Sequence, residues 1–85
     1  MASYRLLIKP SAAKELEAVP KKDRQRIVTR IRDLSVEPRP PGCERLSSQD
    51  LYRVRQGNYR IVCTVQDPDL VVVIVTIGHR REVYR

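Results

Sequence analysis

At 85 residues the chain is short enough to make one domain, burying roughly 60 to 65% of its unfolded-chain surface, which argues against a deep cofactor cleft. Seventeen Lys and Arg against ten Asp and Glu give a formal charge of +7, which favours a polyanionic partner such as nucleic acid and argues against acidic protein substrates. Cys43 and Cys63 lack the spacing of a redox dithiol or a zinc set, and the longest apolar run, Leu70 to Ile77, is too short to cross a bilayer, so a cytoplasmic protein with no membrane contact is expected.

Tyr4 to Ile8 alternates, with Tyr4, Leu6 and Ile8 on one side, and predicts a first strand that ends before Pro10. Ser11 is placed to cap a helix in which Ala12, Leu16 and Val19 recur near helical spacing, and Pro20 both ends it and suits the first turn of the next. A second helix follows, with Ile27, Ile31 and Leu34 on one stripe and Val28 beside it. Its Lys22, Arg26 and Arg30 form a basic row at steps of four, read as a solvated face in preference to a nucleic-acid contact, and given no catalytic role. The Pro-, Ser- and charge-rich segment from Ser35 to Asp50 predicts a surface connection with only Leu46 turned inward.

Leu51 to Gln56 and Tyr59 to Gln66 predict two strands joined by Gly57-Asn58, a pair suited to a type II′ turn. That turn sets Gln56 opposite Tyr59, Arg55 opposite Arg60, Val54 opposite Ile61 and Arg53 opposite Val62. Arg53, Arg55 and Arg60 then crowd one face, while Ile61, Cys63 and Val65 turn the other way, with Val72 and Ile74, toward the helix pair. Asp67-Pro68-Asp69 makes the next turn, and the apolar Leu70 to Ile77 predicts a central strand covered on both sides. Gly78 closes it. His79, Arg80, Arg81 and Tyr84 follow at the end of the sheet that holds Arg60. The order is β-α-α-β-β-β: an α+β fold with a small, curved, mainly antiparallel sheet and a helix hairpin packed on one face.

Like charges on neighbouring strands destabilise a sheet by up to about 1 kcal/mol per opposed pair, so three guanidinium groups on one face point to a bound phosphate. The sequence offers no metal cluster, no Gly-rich phosphate loop and no activated Ser or Cys. What remains suits metal-independent, cofactor-free phosphodiester transfer in RNA, where the ribose 2′-hydroxyl is itself the nucleophile. Arginines stabilise the charge on the phosphorane, and His79 or Tyr84 moves protons.

With its YRVR, GNYRI and GHRREVY pieces in order and spacing, the chain resembles the RelE branch of the RelE/ParE toxin superfamily over nearly its whole length, as one RelE-like toxin domain spanning residues 1–85. The resemblance implies a ribosome-dependent endoribonuclease, the toxin of a type II toxin-antitoxin system, that cleaves messenger RNA in the A site and leaves a 2′,3′-cyclic phosphate. Arg60 and Arg80 match the arginines that hold the scissile phosphate, and Tyr84 matches the tyrosine that stacks on a base. Arg53 and Arg55 match strand positions where the best-known members carry lysines, one of them the general base, and Arg81 adds an RNA contact.

Arginine is poorly suited to accept a proton, because its pKa stays above about 12, which leaves His79 as the better base candidate. The implied partners are messenger and ribosomal RNA and a cognate RelB-like antitoxin with an acidic amphipathic segment, the complex in turn binding its own promoter DNA. The family's C-terminal helix has no counterpart after Tyr84, so control by displacing that helix is not expected. Two other readings stand beside this one: a ParE-like inhibitor of DNA gyrase, and a non-catalytic RNA-binding module with steep salt dependence.

Overall fold

The structure, a computed structural model, describes residues 3–46 and 50–79. In chain order these form β1 (Arg5–Ile8), α1 (Pro10–Glu17), α2 (Lys21–Asp33), β2 (Glu44–Arg45), β3 (Leu51–Gln56), β4 (Tyr59–Gln66), a single 3₁₀ turn (Asp67–Asp69) and β5 (Val71–His79). The five strands make one sheet in the order β1-β5-β4-β3-β2. Because α1 and α2 carry the chain back over the sheet, β1 pairs parallel to β5, while the other three pairings are antiparallel. The α+β class, the helix hairpin and the mainly antiparallel sheet are as the sequence predicts, with β2 as an unexpected fifth strand.

Both helices start differently from the predicted form. Pro10, not Ser11, opens α1, since its fixed φ and missing N–H suit the first helical position, and Lys9 precedes it in extended conformation. Pro20 is likewise extended, with ψ 144°, and stands just before α2. Between the helix pair and the sheet lie Ala12, Val19, Ile27, Ile31 and Leu34 on one side and Tyr52, Val54, Ile61, Cys63, Val65, Val72, Ile74 and Ile77 on the other. Burial pushes the Cys63 thiol up to about 11, so it packs as a small apolar group. Ile8 is an exception to the predicted alternation and is exposed at the end of β1. In the connection after α2, Pro38 and Pro40 are the buried residues, while Leu46 is half-buried.

The middle strand is β4, not the largely apolar β5, although β5 is paired on both sides. Leu70 is not part of that strand: it adopts a left-handed conformation, φ 51°, that turns the chain into β5. Midway along the β4–β5 ladder the register slips by one residue. Cys63 pairs with Ile74 but Val62 pairs with Thr76, leaving Val75 as the extra residue of a bulge. The bulge allows Ile74 and Ile77, three positions apart, both to face the helices, which a regular strand forbids.

Beyond Ile74, β5 runs past the end of β1, and α1 covers the exposed edge. The Glu15 carboxylate accepts the Ile77 N–H at 3.0 Å and the Thr76 hydroxyl at 2.9 Å. Glu15→Ala leaves that backbone donor without its acceptor, and it is expected to cost about 1–2 kcal/mol by chemical denaturation.

A second tie joins the start of β1, the α2–β2 connection and the β4–β5 turn. Arg39 donates to both Asp67 carboxylate oxygens, at 3.1 and 2.8 Å, and to the Tyr52 hydroxyl at 3.0 Å, and Tyr4 donates to Asp67 at 2.7 Å. The Arg39 hydrogen bonds, then that of Tyr4, hold the Asp67 carboxyl below its ordinary range. A depressed carboxylate pKa stabilises the fold above the unfolded value of about 3.9 and loses that contribution as pH falls through the folded value. Asp67→Asn should therefore flatten the dependence of the thermal midpoint on pH below about 4, measured against the unsubstituted chain.

Candidate active site

The hairpin of β3 and β4 builds the site. Gly57 has φ +60° while Asn58 keeps a negative φ, the signature of the type II′ turn the pair predicts. A side chain at Gly57 meets no neighbouring atom, so Gly57→Ala isolates backbone strain and should lower stability by about 1–3 kcal/mol in a thermal melt. The turn holds Arg55 opposite Arg60, Val54 opposite Ile61 and Arg53 opposite Val62. Val54 and Ile61 face the helices. By the alternation of both strands Arg53, Arg55 and Arg60 share the other face, around the fully buried Val62. Arg55 is exposed, and Arg53 and Arg60 are half-buried.

The short strand β2 adds a residue that sequence reasoning missed. Glu44 pairs with Arg53 across the β2–β3 ladder, on the arginine face, and its Oε1 accepts a hydrogen bond from Arg53 Nη2 at 2.9 Å. Its side chain is 60% exposed, against 20% for Arg53. A two-residue strand inside a Pro- and Ser-rich segment carries no periodic signal, so nothing in the residue pattern marks it.

His79 stands elsewhere. It pairs with Tyr59 on β4, and their rings meet edge to face at 5.7 Å and 78°. Both lie on the helix side of the sheet, bordering a groove of about 370 Å³ with Glu15, Ala18, Val19 and Ile77. The structure therefore brings Arg53, Arg55 and Arg60 together and puts His79 across the sheet from them, because the bulge reverses the facing of β5 before His79 is reached. Arg80, Arg81 and Tyr84 lie outside the described residues. On α2, Lys22, Arg26 and Arg30 line a groove of about 500 Å³ with Gln25, Thr29, Asp33 and Gln56. Among the described residues no three His, Cys, Asp or Glu side chains gather as a metal site, and no helix is long and apolar enough to cross a membrane.

The fold and the family agree on the class. Residues 6–84 match the family model of the ParE toxin of the type II toxin-antitoxin system, parDE. Among solved structures the chain is similar to the toxin-antitoxin complex RelBE2 of Mycobacterium tuberculosis, with a TM-score of 0.83 at 26% identity over 96% of this chain and 97% of that one. It is also similar to the archaeal RelE-RelB complex of Pyrococcus horikoshii, with a TM-score of 0.82 at 29% identity over 94% and 98%. The isolated E. coli RelE toxin shares the fold, with a TM-score of 0.80 at 23% identity over 91% and 84%. No curated protein sequence matches. The chain belongs to the RelE/ParE superfamily of toxins of type II toxin-antitoxin systems.

Proposed function

We propose that the protein is a ribosome-dependent endoribonuclease that cleaves messenger RNA in the A site by attack of the 2′-hydroxyl on the adjacent phosphate, and that a RelB-like antitoxin holds it inactive. The observation that carries this reading is the directly opposed Arg55–Arg60 pair with Arg53 on the same face. A phosphodiester passing to a phosphorane gains negative charge, and preorganised guanidinium donors stabilise that charge more than the ground state. Arg60, with Arg80 from the segment after β5, holds the phosphate. Tyr84 stacks on a base, and Arg53, Arg55 and Arg81 guide the RNA backbone. The relatives solved as complexes with RelB-type partners support the antitoxin, and a ribosomal substrate places the activity in the cytoplasm.

Purified protein added to translating ribosomes, followed by mapping of message ends, tests the proposal: cleavage within the A-site codon is expected, and intact messages at stoichiometric protein would count against it. The match to the ParE family model favours one second reading, a protein-binding inhibitor of DNA gyrase. Inhibition of supercoiling by the purified protein, with messages left uncut, decides for that reading.

A further inference from the structure

We propose that Glu44 is a catalytic residue, the acceptor of the 2′-hydroxyl proton. The inference rests on the proposed ribonuclease activity and replaces His79, the base candidate that the sequence offered. The transfer needs an acceptor beside the phosphate, on the face where the arginines stand. A guanidinium has no lone pair to offer and keeps its charge throughout the physiological range. His79 faces the helix side with Tyr59, so it has no line to that phosphate.

Glu44 does. The β2–β3 ladder sets it beside Arg53, whose Nη2 holds Oε1 at 2.9 Å. With one oxygen held and the side chain 60% exposed, the other oxygen can meet a ribose hydroxyl. The backbone around it is tied down as well, since Cys43 N–H bonds to Pro40 and Leu46 N–H bonds to Leu51.

A stability role accounts poorly for this placement. An exposed ion pair contributes little to stability, and an anion within a phosphate site repels the ligand the site is built for. Breaking a local rule in this way is what a group with chemistry to perform does. In the step itself, a Glu44 oxygen takes the 2′-hydroxyl proton, the 2′-oxygen bonds to phosphorus, and the phosphorus–5′-oxygen bond breaks. The departing 5′-oxygen takes a proton from water, and the carboxyl group returns its own to solvent.

The test compares the full chain with Glu44→Gln, Glu44→Asp and Glu44→Ala on programmed ribosomes, all shown folded by thermal melting. Two quantities are read: the single-turnover cleavage rate, and affinity for a message with 2′-deoxyribose at the cut site. Glu44→Gln should cleave about 10²–10⁴-fold more slowly, the usual worth of a general base, while binding the deoxy message at least as tightly. Glu44→Asp should recover part of the rate, and added formate should restore part of it to Glu44→Ala.

Cleavage by Glu44→Gln within threefold of the unsubstituted chain overturns the proposal. So does a slow rate matched by an equal loss of affinity, which would make Glu44 a positioning residue. If the unsubstituted chain leaves messages uncut, the ribonuclease activity itself falls, and the role of Glu44 falls with it.

Discussion

Arg60→Ala is expected to slow message cleavage about 10²–10³-fold, the usual loss when one preorganised donor to a developing oxyanion is removed. Arg60 is the best placed of the three strand arginines for this effect, because it is half-buried on the middle strand, where the field of a charge is screened less than at the exposed Arg55. Arg55→Ala should accordingly cost less, and mainly in affinity, with the loss growing smaller at high salt. Arg60→Lys keeps the charge but not the planar fork of donors, and should recover only part of the rate. Single-turnover kinetics on programmed ribosomes separate these variants. Full activity in an Arg60→Ala, Arg80→Ala double variant would remove the basis of the ribonuclease reading.

The largest effect on folding is expected at Ile74. It is fully buried, pairs with Ile8 of β1 and with Cys63 of β4, and packs in the cluster under the helices. Ile74→Ala should lose about 2–5 kcal/mol, through the apolar surface no longer buried and the cavity left where both strands limit collapse. At about 0.05–0.15 kcal/mol per residue, a chain of this size holds only about 4–13 kcal/mol in total, so that single change removes a large share of it. The urea midpoint measures it. Val73→Ala, one position along and half-buried on the other face, should shift the midpoint much less.

Which parts of this molecule were legible in its residues follows from where the signals are local. The β3–β4 hairpin was readable because two turn residues set its register, and the register alone put three arginines on one face. The sheet-facing stripe of α2 was readable because Ile27, Ile31 and Leu34 recur at helical spacing. The strand β2 was not, since two residues cannot display a period, and Glu44 went unnoticed with it. In β5 the run Val71 to Ile77 is apolar except at Thr76, so no alternation betrays where the register slips. The side of the sheet on which His79 falls depends on that slip, and it is legible only in three dimensions.

That slip leaves β5 one residue longer than its ladder needs. Losing Val75 would restore an unbroken ladder with every pairing kept: Thr76 would still meet Val62, Ile77 would still meet Ile61 on the helix side, and His79 would still meet Tyr59. A three-nucleotide deletion there thus straightens the strand while each face keeps the side chains it already carries.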